Sequence, residues 1–70
     1  MCRSFIFLAE GFEEIEAITV VDVLRRAGMD AKTVSITSDR SVTGAHGITV
    51  MADMTLGDAD FGDAEWLILP

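Results

Sequence analysis

Two unbroken apolar runs constrain this chain most: FIFLA at residues 5–9, and WLIL within EWLILP at residues 65–70. Neither alternates apolar with polar residues, so each reads as a strand buried on both faces, the habit of a parallel sheet. Between them, residues 13–27 follow a helical pattern. Ala17, Val20, Val21, Leu24 and Ala27 fall at i, i+3, i+4, i+7 and i+10, which is one stripe of an α-helix. Glu13, Glu14 and Glu16 occupy its first turn, Arg25 and Arg26 its last, and Gly28 follows. Anions suit the positive end of the helix dipole, cations the negative end, and glycine the position just beyond it. Strands alternating with a helix predict βαβ units and an α/β fold.

The remaining segments fill in the order. KTVSIT (32–37) reads as a second strand. VTGAHGITVMAD places Gly44 and Gly47 around a tight turn between two short strands, the second at 48–52. LGDADFGD (56–63) is acidic and turn-rich, with room for a single helical turn. A parallel sheet needs helices on both faces. This sequence offers one, so one face of strands 5–9 and 66–69 is expected to be bare. Pro70 falls at the C-terminal end of a core strand, where open α/β sheets place their ligand crevice. The expectation is the N-terminal part of a larger domain, cut just before a functional loop. Alone, 70 residues of which half are hydrophobic bury too little surface and are expected to aggregate or stay molten.

Charge and cysteine content exclude some function classes. A formal net charge of −7 repels phosphate backbones, and no basic stretch offsets it, so nucleic acid is not an expected partner. The single cysteine, Cys2, precludes a disulfide within the chain and fits a reducing cytoplasm. Beside the initiator methionine it is expected to be inert. The five apolar residues after Arg3 are too few for a secretory signal, and no run approaches a membrane span. The chain is expected to be cytoplasmic.

The chemistry-bearing residues cluster at the first strand-to-helix junction, where LAEGFEEIEAI carries four glutamates, Glu10, Glu13, Glu14 and Glu16. No G-x-G-x-x-G or Walker pattern is present, and carboxylates at a helix start repel phosphate. Glu13 and Glu16, at i and i+3, could share a Mg²⁺ ion. A carboxylate there could also share a proton with a nearby nucleophile. The bland reading is a dipole-stabilised helix start. His46 reads first as a solvated turn residue and second as a base. Met29, Met51 and Met54 read as core filler, and Trp66 as packing. Ile15 and Ile18 lie off the core stripe beside Asp22 and Arg25. They form either a partly covered surface patch or a contact with another subunit or with further chain.

FLAEGFEEIEAITVVDVLRRAGMDAKTVSI, then VTGAHGITVMAD, then WLILP resemble the ThiJ/PfpI family, the class I glutamine amidotransferase-like group that includes the Parkinson-disease deglycase. The resemblance implies a flavodoxin-like three-layer α/β/α sandwich with a mainly parallel sheet, usually a homodimer, with residues 1–70 its N-terminal part. It implies no cofactor and no metal, and a reactive cysteine on a nucleophile elbow that would follow these residues. By the same resemblance Glu16 matches the glutamate that shares a proton with that cysteine. Glu13 and Arg26 match positions lining or flanking its pocket, and Glu10 flanks the loop. Ile15 and Ile18 match the dimer interface, and Glu14 is left as a surface residue. The implied activity is cysteine-dependent hydrolysis or lysis of small reactive carbonyls. The alternatives are a redox sensor or chaperone, a member labelled as an intracellular protease or thiazole-biosynthesis protein, and a truncated product without function.

Overall fold

A computed structural model describes residues 3–62 and 64–69. Cys2, and the ends of the 56–63 and 65–70 segments at Asp63 and Pro70, lie outside the described residues. In chain order the elements are β1 (Arg3–Leu8), α1 (Glu14–Arg26), β2 (Asp30–Ser35), β3 (Ser41–Thr43), β4 (Thr49–Met51), β5 (Met54–Thr55) and β6 (Trp66–Ile68). Four strands form a parallel sheet in the order β5-β2-β1-β6, and β3 and β4 form a separate antiparallel pair.

The apolar run of β1 occupies the middle of the sheet, with β2 on one side and β6 on the other. Phe5, Ile6 and Leu8 are fully buried, as a strand covered on both faces requires. Parallel partners share a face, so the register Ser4↔Ala31, Ile6↔Thr33, Leu8↔Ser35 fixes what each face presents. On the helix side, Ile6, Leu8 and Ala31 meet Ala17 and Val21 of α1, together with Phe12, Val42 and Ala52. Val20, Leu24, Val50 and Ile68 close the rim of that core.

The opposite face carries Phe5 and Phe7, and the loop after β5 lays Phe61 across both. The Phe5 and Phe61 ring centroids stand 4.8 Å apart, edge to face at 84°, and Phe7 is 5.6 Å from the same ring. The segment 56–62 forms turns rather than the expected helical turn, and its aromatic ring replaces a helix as cover for β1. It does not reach β6, where Leu67, with Leu69 just beyond, stays largely exposed on the same face. The expected bare face is therefore found at β6. Trp66, expected to be core packing, is 59% exposed: it pairs with Ser4 on the helix side of the edge strand, at a shallow margin bordered by Leu24 and Met29 near the end of α1.

The helix ends as its sequence dictates. Gly28 takes a φ of +81°, its N–H bonds to Arg25 O, and the Met29 N–H bonds to Leu24 O. This is a Schellman closure, which satisfies carbonyls the helix would otherwise leave open. Ala27, counted in the core stripe, lies in this exposed cap. β2 begins two residues earlier than the 32–37 reading and stops at Ser35. Met51 also departs from expectation. It is 65% exposed on β4, whose buried neighbour in the core is Ala52.

A polar clamp joins three elements behind α1. The Asp53 carboxylate accepts hydrogen bonds from the Thr33 N–H (2.8 Å), the Thr33 hydroxyl (3.0 Å) and Arg25 (2.9 Å). Arg25 Nε donates to Ala31 O, and the Asp53 N–H returns to Thr33 Oγ1. Burial alone would raise the Asp53 carboxyl. The Thr33 bonds, with Arg25 and Lys32 nearby, instead hold it below its ordinary value. This clamp leads into β5, a two-residue strand that the sequence pattern did not announce.

Candidate functional site

Open α/β sheets bind ligands where neighbouring connections leave a strand in opposite directions. In this sheet that point lies between β1 and β6, because the chain after β1 crosses first to β2 and only later to β6. A cavity of about 310 Å³ opens there, lined by Phe7, Ala9, Glu10, Gly11, Phe12, Ile36 and Leu69. Its floor is apolar and its rim is the β1–α1 loop, the acidic junction singled out in the sequence.

That loop is fastened to the β3–β4 hairpin rung by rung. Gly11, at φ +84°, donates its N–H to Thr43 O at 2.8 Å, and the Ala45 N–H reaches Phe12 O at 2.8 Å. Glu10 Oε2 accepts the Thr43 N–H at 3.1 Å. Glu10 thus both lines the cavity and ties its rim to the hairpin.

Glu14 overturns its expected surface role. Its residue is 7% exposed. One oxygen accepts the backbone N–H groups of His46 (2.8 Å) and Ile48 (3.3 Å), and the other faces His46 Nδ1 at 2.8 Å. The His46 hydrogen bond is the largest influence on this carboxyl and, against the cost of burial, holds it down at about 2. Glu14 in turn raises His46, with Glu13 adding to the effect. An ionised carboxylate accepts only, so His46 Nδ1–H is the donor. Gly44 is part of the same fit: a Cβ there would collide with the Glu14 carboxylate. His46 does sit on the expected glycine-flanked turn with its ring mostly exposed, but it is bound to the helix start.

The other glutamates divide differently. Glu13 is the exposed N-cap residue and makes no side-chain capping bond. Its carboxylate comes within 4.8 Å of the ligand atoms of Glu14 and His46, the one such trio among the described residues. Glu16 is exposed on the first turn of α1 and does not join that trio. The Glu13–Glu16 pair considered for Mg²⁺ is thus replaced, as a cluster, by one that includes Glu14 and His46. Arg26 is exposed and bonded to Asp22 at 3.0 Å. It sits at the far end of the helix, about 18 Å from Glu14 at a 1.5 Å rise per residue, so within one chain it does not meet Glu13 or Glu16. Ile15 is 80% and Ile18 41% exposed. Ile18 borders a groove shared with Val21, Arg25, Val50 and Met51, so the hairpin continues the apolar helix face.

The signal for Glu14 was present in the sequence in a form that only the fold makes readable. A lone histidine between glycines, 32 residues from the acidic junction, says nothing of its partner until the hairpin folds back.

Known proteins resemble this chain in sequence and in shape. The chain is 36% identical to the DJ-1 homolog B of Arabidopsis thaliana over 68 residues, which is 97% of this chain and 16% of that protein. It is 33% identical to the Parkinson disease protein 7 homolog of Danio rerio, covering 81% of this chain and 30% of that protein. Among solved structures, Toxoplasma gondii DJ-1 in an oxidised form superposes with a TM-score of 0.94 at 27% identity, over 100% of this chain and 38% of that one. A DJ-1 superfamily protein of Salmonella typhimurium, solved as a cysteine-to-alanine mutant, gives 0.81 at 41% identity, over 83% and 31%. The chain thus spans well under half the length of these relatives, and their sheet is the flavodoxin-like one described above. The family model described as DJ-1/PfpI matches residues 3–70, and the chain belongs to that family.

Proposed function

We propose that residues 1–70 are the N-terminal part of a single DJ-1/PfpI domain whose complete form carries out cysteine thiolate chemistry on small reactive carbonyls. The observation that carries this reading is the cavity at the β1/β6 switch point, bordered by the acidic loop. A thiolate entering there from a later strand-to-helix turn would stand beside the start of α1. The positive helix end would favour its anionic form, and a neighbouring carboxyl could take its proton. Glu16 is the residue assigned that role by resemblance, and its exposure in this chain leaves it free to meet such a partner. Glu13 borders the same helix start. Arg26 could approach a pocket only across a subunit boundary. The exposed Ile15 and Ile18 face is the surface proposed for a homodimer, and the setting proposed is the cytoplasm.

Redox sensing is the second reading. It is favoured by the solved relative whose structure is of an oxidised form, since sensor cysteines are also low-pKa and accessible. The complete reading frame tests both. It should encode a diglycine after Pro70 and, further on, a cysteine at a strand-to-helix turn; without that cysteine both readings fail. Methylglyoxal turnover by the purified complete protein then separates them. Turnover supports the carbonyl chemistry, and an oxidisable cysteine without turnover supports the sensor.

A further inference from the structure

We propose that Glu13, Glu14 and His46 bind a first-row divalent ion of the zinc class, at a site separate from the β1/β6 cavity. The three residues come from two segments that only the fold brings together, the start of α1 and the hairpin turn. One imidazole nitrogen and two carboxylate oxygens lie within 4.8 Å of one another. Such a mixed donor set suits zinc and its neighbours better than Ca²⁺ or Mg²⁺, which take oxygen alone.

The supports of each ligand differ in a useful way. Glu14 is the fixed member: it is buried, and one oxygen is held by two backbone N–H groups. Oriented carboxylates of this kind are what a metal site's outer hydrogen bonds normally provide. The other two are adjustable. The His46 side chain is 70% exposed. Glu13, although it is the N-cap residue, leaves its own helix uncapped and faces the imidazole closely enough to act on it. Zinc binds nitrogen and oxygen at about 2.0–2.2 Å in tetrahedral geometry, which sets ligand atoms roughly 3.3 Å apart, so Glu13 must draw in while His46 Nδ1 opens slightly from its 2.8 Å contact with Glu14. Only the two exposed side chains need to move. The ion would take the place of the proton that His46 Nδ1 now donates to Glu14 Oε1, that proton leaving to solvent, with water completing the coordination. Two carboxylate charges outweigh the roughly half positive charge of the helix end.

Isothermal titration of the complete protein with Zn²⁺, paired with visible absorption of the Co²⁺ form, tests the site. The expected result is one ion per chain, Co²⁺ bands of a nitrogen–oxygen site, and at least a tenfold loss of affinity in both His46→Gln and Glu13→Gln. Asp22→Asn, outside the trio, should bind as wild type. Both test substitutions fall on exposed side chains, so loss of fold does not imitate the result; far-ultraviolet circular dichroism checks this. Absence of binding below millimolar Zn²⁺, or binding unchanged by His46→Gln, overturns the proposal.

Discussion

At the scale of single residues, Glu14 and Gly44 form one fitted pair. The carboxylate fills the space that a Gly44 side chain would take and satisfies two hairpin N–H groups there. In the complete protein, Gly44→Ala should destabilise the fold by about 1–3 kcal/mol, the usual cost of overpacking a filled site. Glu14→Ala should lower the denaturation midpoint, while Glu16→Ala should leave it near wild type. Combining Gly44→Ala with Glu14→Ala should cost less than the sum of the two, because the overlap disappears with the carboxylate. Additive losses in urea titrations would count against the pairing. None of this was legible in the sequence. Helix-dipole stabilisation explained a glutamate at position 14 well enough on its own, and the residue that binds it is remote in the chain. Glu13 and Glu16 behaved as local rules said they should, exposed on the first turn.

The elements divide in the same way between those that local chemistry determines and those that tertiary contacts create. β1 and α1 were readable because an unbroken apolar run and a capped amphipathic stripe each admit one structure. The Schellman end illustrates it. In the complete protein, Gly28→Ala should cost roughly 1–2 kcal/mol, the penalty of a left-handed conformation in an L-residue, measurable as a lower melting temperature. β5 was not readable, since two residues carry no periodicity. It is set by the Leu56 N–H bond to Ser35 O and by the Asp53 clamp before it. That clamp has a pH signature. The folded-state pKa of Asp53 lies below its ordinary value of 3.8. Its stabilisation is therefore fully present above that value and is lost as pH falls through the lower folded one. In the complete protein, Asp53→Asn should be less stable than wild type at neutral pH, and the gap should narrow below about pH 4, near the ordinary aspartate pKa. A gap that widens on acidification would reverse the assignment.

For the whole molecule, the decisive fact is an asymmetric sheet. One face is packed against α1 and the hairpin. The other is covered at β1 by Phe61, with the Arg3 guanidinium over Phe5, and is open at β6, where Leu67 stays exposed and Leu69 follows it. Exposed apolar surface beside an unpaired strand edge favours association. The 70-residue chain in isolation should bind a hydrophobic dye and self-associate. A monomeric sample with a cooperative thermal transition would contradict this. The same asymmetry places the β1/β6 cavity at an open edge of the described sheet.

The central claim is that the acidic start of α1 serves a cysteine thiolate, with Glu16 as its proton partner. Ultraviolet titration of thiolate absorbance in the complete protein, wild type against Glu16→Ala, tests it most directly. The account predicts that the cysteine pKa rises in the variant while the fold is retained. An unchanged cysteine pKa would contradict it.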